Sequence, residues 1–411
     1  MALREQHTGV WRSHPFRRYL AAVTLSAVGE GFTLVALPLA ILAGGGDAEA
    51  VGTVLAAKAA AAVVAMVPAG VVANRVSTRG VMVWANIVRY VGQSAIAGVL
   101  LTGTGGTWVL ALLSMLCGAA SGLYFPVSMS FLPAVLEDRF LHRGNAIVST
   151  AYSTAAVVTP AAAGVLVSQF SPALAIGLDG LCYLASAVLL WTVRTGHGAP
   201  NASAAGNRRS WTRETAQAIG LVLRTRWLAA ALGHAAVFQV CVLAAVGVAG
   251  PVLTTAVHGS WGWASVLSAI SFGRLAGGLI STLWEPARPV LAAYLVAVGF
   301  APAMIALART TSLTALVVLF ALYGTVLGVA QTLYTTTLQR FVPLEQLTSV
   351  YSVDGLVSYG LQPVGYALIG ALVVRASAPS VLYASVFVAL VFTLFAAYCG
   401  RDVRTSSRAS G

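Results

Sequence analysis

Apolar runs of twenty or so residues recur along almost the whole chain, and nothing else limits its fold so tightly. A helix needs about 20 apolar residues to cross the ~30 Å hydrocarbon core of a bilayer. Between polar breaks, such runs fall near 19–43, 51–72, 81–101, 108–131, 145–168, 173–193, 227–250, 262–283, 289–308, 313–337, 349–373 and 380–399. Only 9% of the 411 residues are charged, against about 25% in a soluble domain. That is too little charge to solvate several globular domains. The pattern predicts an all-α membrane protein with twelve transmembrane helices, and an even number puts both termini on one side. The first run is too long for a secretory leader and lacks a clear cleavage site, so none is expected.

The formal charge of +12 would suggest nucleic acid in a soluble chain. Here the arginines sort by loop. Arg4, Arg12, Arg17 and Arg18 precede span one, and Arg75, Arg79, Arg139, Arg143, Arg288 and Arg340 lie in alternate short loops. Arg194, Arg208, Arg209, Arg213, Arg224 and Arg226 lie in the long central loop, and Arg401, Arg404 and Arg408 end the chain. The opposite loops hold Arg309 and Arg375 alone. Cytoplasmic loops are enriched in Lys and Arg, so both termini are expected to be cytoplasmic. The basic balance is topology, and no nucleic-acid partner is expected. Cys117, Cys182, Cys241 and Cys399 all fall in spans, without metal-ligand spacing; they are read as small packing residues, and no metal or cofactor is expected.

The loop "TGHGAPNASAAGNRRS" has linker composition, and "WTRETAQAIGLVLRTR" after it is amphipathic, as an interfacial helix is. The chain thus divides into an N-terminal six-helix bundle (1–193), a cytoplasmic linker with an interfacial helix (194–226) and a C-terminal six-helix bundle (227–411). The halves match weakly at an offset of about 206–209: "RRYLAAV" at 17–23 against "TRWLAAA" at 225–231, Arg79-Gly80-Val81 against Arg288-Pro289-Val290, and Gly164 against Gly370. Parallel six-span repeats of this kind build one large class of secondary transporters. Two pseudo-symmetric bundles are therefore expected.

Several segments then resemble the major facilitator superfamily, and within it the macrolide-efflux-like branch of drug:proton antiporters. "LSAVGEGFTLVALPLAI" (25–41) is similar to that branch's first span, which usually has Gly-Asp where this chain has Gly29-Glu30. "PAGVVANRVSTRGVMV" (68–83) resembles the signature loop after span two, with Asn74 where an Asp is usual. "LPAVLEDRFLHRGNAI" (132–147) and "GLVLRTRWL" (220–228) resemble the branch's approaches to spans five and seven. Span five keeps Pro160 and small residues of the antiporter motif but few of its glycines, and the arginine often found in span four is absent. The resemblance implies a central cavity lined by spans one, four, seven and ten. It also implies a cytoplasmic latch in which the signature loop, here Asn74, Arg75 and Arg79, approaches Asp354 at the start of span eleven. Asp354 is equally placed to stabilise a helix N-terminus.

Ionisable groups inside a span are costly, so each needs a reason. Glu30 lies midway along span one and shares a stripe with Ser26 and Thr33. Burial disfavours a charged carboxyl and a nearby cation favours it, so such a group can exchange a proton as its surroundings change; the competing role is a fixed structural carboxyl. Lys58, the sole lysine, sits about 12 Å from the outer end of span two, and Glu30 about 18 Å deep in its own. A lysine side chain spans that ~6 Å difference. Lys58 is expected either to pair with Glu30 or to reach the outer headgroups. Arg89 is expected to reach the interface or to brace the signature loop. Arg274, midway in span eight, and Asp179, in span six, have no partner that spacing identifies. Ser114, Cys117, Ser121, Tyr124 and Ser128 recur every three or four residues along span four. They line either a cavity or a close helix contact. His234 and Phe238 share a face of span seven, and Tyr323, Gln331 and Tyr334 a looser face of span ten. His234 is a second candidate proton carrier, or a hydrogen-bonded packing residue. Aromatics with scattered hydroxyls suit a large, mostly apolar solute.

There is no Gly-x-x-x-x-Gly-Lys-Ser/Thr loop, no His-Glu-x-x-His and no Gly-x-Ser-x-Gly elbow, so neither an ATP-driven pump nor a familiar hydrolase is expected. The sequence points to a monomeric secondary transporter, not an enzyme, in a bacterial-type inner membrane. It is expected to export a hydrophobic or amphiphilic small molecule (antibiotic, secondary metabolite or siderophore) against protons. A lipid or lysolipid transporter without antiport, and a membrane sensor or scaffold that moves nothing, are the competing readings.

Overall fold

A computed structural model describes residues 10–11, 13–69, 72, 77–193, 220–281, 283–284, 286–309, 312–342 and 344–403. No strand occurs among them. The chain divides into two compact units, one of Met1–Gly46 with Thr53–Gly206, the other of Asp47–Gly52 with Asn207–Gly411. The linker predicted over 194–226 lies outside the described residues up to 219.

The first six spans are α1 (His14–Ala43), α2 (Ala48–Met66), α3 (Thr78–Thr102), α4 (Thr107–Ser130), α5 (Asp138–Gln169) and α6 (Pro172–Thr192). Span seven is one helical run made of α7 (Arg226–Phe238), a π-helical stretch (Gln239–Leu243) and α8 (Ala244–His258). Then follow α9 (Ser260–Ser281), α10 (Pro289–Ala297) with α11 (Phe300–Arg309), α12 (Leu313–Phe341), α13 (Leu344–Gly360) with α14 (Gln362–Ala376), and α15 (Ala378–Gly400). Eleven helical segments among the described residues are long and apolar enough to cross a membrane. The more polar α3, at 25 residues, completes twelve.

Several boundaries differ from the sequence reading, each for a local reason. Span nine is broken at Val298–Gly299 because Pro302 cannot bond the carbonyl four residues back, at Val298, and its ring crowds it. Pro363 similarly separates α13 from α14 at Leu361. Span seven continues eight residues past the predicted end at 250, through Pro251, to His258. Span five begins at Asp138, so what reads as a polar loop is its first two turns.

In the first unit α6 packs along both α1 and α3. One end is pinned by Phe16, Tyr19, Met82, Phe131 and Leu190 in a buried cluster. Polar ties close the same end: Tyr19 donates to the Ser128 carbonyl (2.9 Å), Arg18 to the Thr192 carbonyl (2.8 Å) and Arg79 to the Val193 carbonyl (2.7 Å). In the second unit α9 runs along α12, and α15 packs against α7, α10 and α11. Both units use glycine where helices touch. A Cβ at Gly118 would fall on the Lys58 carbonyl and one at Gly122 on the Ala62 carbonyl, so α4 lies backbone to backbone on α2. In the second unit Gly324 and Gly328 do the same to Ile270 and Arg274. Small residues permit this approach, and in lipid the close packing it gives, with hydrogen bonds between helices, takes the place of the hydrophobic effect.

Candidate functional site

Three helices of the first unit each carry a polar stripe at spacings of three and four, the period of one helix face: Ser26, Glu30 and Thr33 on α1; Asn86, Arg89 and Gln93 on α3; Asp179, Tyr183 and Ser186 on α6. Because α6 packs on both α1 and α3, the stripes meet.

Glu30 is the hub. Lys58 Nζ donates to Glu30 Oε1 at 2.9 Å, the Tyr183 hydroxyl donates to Oε2 at 3.0 Å, and Arg89 Nη2 lies 3.8 Å from Oε2. The Glu30 side chain is 36% exposed, against 16% for Lys58, so the glutamate is the less buried partner of the pair. Neither cation has a second carboxylate within salt-bridge distance among the described residues.

Arg89 does not extend to an exposed end of its span; it is buried within the first unit. It is 5% exposed, donating to Ser121 Oγ (3.0 Å) and Asn86 Oδ1 (3.1 Å). Its guanidinium lies 4.7 Å from the Tyr124 ring centre and 4.5 Å from that of Tyr183. Cation–π attraction and hydrogen bonds replace the water this charge gave up. Beside it, Ser26 donates to Ser186 (2.9 Å), Ser186 to the Ala22 carbonyl (2.7 Å) and Asn86 to Ser186 (2.9 Å).

Asp179 is fully buried and has no ion pair among the described residues. Its Oδ2 accepts from Thr33 and from Gln93 Nε2 (2.7 Å), while Oδ1 has no partner among the described residues. Gly29 makes room for it: a Cβ there would overlap Oδ1. The Asp179–Tyr183 spacing of four was the signal that α6 turns a polar face inward.

Of the residues expected to line a cavity, Ser26, Thr33, Tyr124, Ser128 and Tyr323 are each no more than 4% exposed and lie within helix contacts. Ser128 donates to the Phe125 carbonyl (2.8 Å), and Tyr323 packs edge-on against Phe320. Ser121 serves as an acceptor for Arg89.

The second unit contains a cavity of about 400 Å³. His234, Phe238, Gln331, Tyr334 and Asp354 stand on its wall, together with Arg274 and Tyr294. The Thr393 hydroxyl donates to the Ala389 carbonyl (2.7 Å), so His234 Nε2, 3.0 Å from that oxygen, is the donor between them. The imidazole also meets the Tyr294 ring edge-on at 4.9 Å. Tyr334 donates to Asp354 Oδ1 at 3.1 Å. Asn74 and Arg75 of the signature loop lie outside the described residues.

A polytopic helical chain with a partly buried ion cluster in one unit and a solute-sized cavity in the other is built as a transporter is, not as an enzyme. The sequence pattern of the Major Facilitator Superfamily matches residues 19–365, and the chain belongs to that superfamily. No curated protein matches it in sequence. Among solved structures it is similar to a point mutant of the nucleoside transporter NupG, at 12% identity and TM-score 0.80, over 94% of this chain and 100% of that one. It is also similar to a bacterial homologue of the human lysosomal transporter Spinster (15%, 0.69, 97% and 99%). A POT family transporter in complex with a thioalcohol-conjugated peptide is a third (12%, 0.70, 92% and 94%). At such identities the likeness establishes the fold alone.

Proposed function

We propose that this protein is a proton-coupled exporter of a hydrophobic or amphiphilic small molecule, of the macrolide-efflux-like branch. It would work by alternating access in a bacterial-type cytoplasmic membrane, with both termini inside. The Glu30–Lys58 pair carries this reading. A carboxylate held by two cations on a side chain that is 36% exposed is a proton site with built-in competition. A proton arriving at Glu30 cancels its attraction for Lys58 and Arg89, and a proton leaving restores it. Charge movement inside an apolar bundle is the handle a proton gradient needs to bias one conformation. The aromatic walls of the second unit's cavity suit the solute.

The test is an imposed pH gradient across proteoliposomes containing the purified protein, with a macrolide and other amphiphilic drugs as trial solutes. Solute-dependent proton flux in the wild type, lost in Glu30→Gln, is the expected result. Transport by Glu30→Gln at the wild-type rate, indifferent to the gradient, would instead favour a lipid or lysolipid transporter without antiport.

A further inference from the structure

We propose that the cavity of the second unit takes the anionic head of an amphiphile, a carboxylate or phosphate, at Arg274. This rests on the transporter reading and narrows its solute class. Three observations carry it.

First, the charges in the chain's interior are treated differently. Lys58 and Arg89 share the single carboxylate of Glu30 as ion-pair partner. Arg274 stands on the cavity wall and is exposed, with no hydrogen bond and no ion pair among the described residues. Asp354 on the same wall accepts from Tyr334 and lies beyond ion-pair distance of Arg274. An intramembrane cation with no protein partner is expensive unless a ligand supplies the partner.

Second, Arg274 is held in place. A Cβ at Gly328 would fall on its carbonyl, and one at Gly324 would come within 3.0 Å of its nitrogen. The α9 backbone is therefore seated on α12 at this residue, and the guanidinium starts from a fixed point.

Third, packing does not demand an arginine there. In the first unit the carbonyl that meets Gly122, as Arg274's meets Gly328, belongs to Ala62. A methyl group suffices for that contact. The rest of the wall includes Ala231, Ala235, Phe238, Ala293 and Leu327, an apolar lining for a hydrocarbon or ring body. A guanidinium presents paired N–H donors matched to a carboxylate or phosphate.

The test uses the full chain in phosphatidylcholine nanodiscs, without a proton gradient. The probes are dansylaminoundecanoic acid, its methyl ester and the corresponding amine, with binding read by dansyl fluorescence. The acid is expected to bind about tenfold or more tighter than the ester, as a charge-assisted hydrogen bond implies. Arg274→Ala should bring acid and ester together, and Arg274→Lys should keep part of the gap. Competition then separates sources: displacement by lysophosphatidic acid points to a lipid head, by naphthoate to a soluble acid, and either supports the assignment. Equal binding of acid and ester by the wild type, a preference that survives Arg274→Ala, tighter binding of the amine, or no binding of any probe would overturn it. The wild-type comparison decides even if a variant misfolds. Retained acid preference in Glu30→Gln would show that this site stands when the antiport reading fails.

Discussion

Removing the two ends of the Glu30–Lys58 pair should hurt the protein unequally. The pair is 2.9 Å apart. At an effective dielectric of ~20 the Coulomb attraction is about 6 kcal/mol before desolvation is subtracted. Most of that is offset by the water both groups surrender, so the consequences depend on what each deletion leaves behind. Lys58→Met leaves Glu30 with the Tyr183 hydroxyl at 3.0 Å and Arg89 at 3.8 Å. The Glu30 side chain is also 36% exposed. The expected cost is about 1 kcal/mol, as for a partly solvated pair. Glu30→Gln leaves two cations, one of them 5% exposed, with no carboxylate within 4 Å among the described residues. Its expected cost is about 3 kcal/mol, the low end for breaking a buried pair. At about 2–4 °C per kcal/mol for a unit of this size, the melting shifts should be roughly 3 °C and 9 °C. The double variant should recover part of the larger loss, with a coupling of about 1–2 kcal/mol. Tryptophan-fluorescence melts of detergent-solubilised protein, all at one scan rate because unfolding of such chains is irreversible, measure this. Equal shifts for the two single variants, or a double variant equal to their sum, would refute the assignment of Glu30 as the hub of the cluster.

Asp179→Asn keeps an acceptor for Thr33 and Gln93 and should melt within a few degrees of wild type. Asp179→Leu strands the Thr33 hydroxyl, leaves Gln93 Nε2 with Thr33 Oγ1 (2.7 Å) as its acceptor, and should cost about 1–3 kcal/mol, read in the same melts. Gly118→Ala and Gly324→Ala each push a methyl onto a facing backbone carbonyl and should cost about 1–3 kcal/mol. Gly98→Ala meets nothing within 4 Å and should raise stability by about 0.5–1 kcal/mol; monodisperse yield and melting temperature report all three.

Spans are legible because hydropathy over some twenty residues is a one-dimensional signal. Breaks within them are less so. Pro302 and Pro363 are plain in the sequence, but a proline in a span can bend a helix or part it, depending on which neighbours satisfy the freed groups. Pro251 sits inside an unbroken helix, whereas Pro302 and Pro363 mark breaks. Within the candidate site, the Lys58–Glu30 contact is accessible because depth along two adjacent helices can be counted at 1.5 Å per residue. Depth alone misplaces Arg89, because it says nothing of rotation about the helix axis. Its inward direction is set by the stripe it shares with Asn86 and Gln93, and only the three read together reveal it. Asp179 needs a partner from two other helices, Thr33 on α1 and Gln93 on α3. The span-four stripe is a true periodicity with two meanings, since small polar residues serve a packed seam as well as a wet wall.

The two units share a packing scheme and divide the chemistry. Gly118 and Gly324 are 206 positions apart, as are Gly122 and Gly328, and each glycine pair seats its helix on a neighbour's backbone in the same way. The facing residues are Lys58 and Ala62 in the first unit, Ile270 and Arg274 in the second. One helix turn thus separates the cation position of one unit from that of the other. Glu30, at the repeat offset of 208 positions, corresponds to Phe238, which lines the cavity. The duplicated contacts are backbone to backbone and therefore blind to side chains, so the same scaffold tolerated an ion-paired cluster in one half and an open, aromatic-walled cavity with an arginine on its wall in the other. On the proposed mechanism, that separation lets a proton act on the first unit without titrating the solute's own contacts. Coupling must then pass through the conformation of the chain, not through competition for one shared carboxylate.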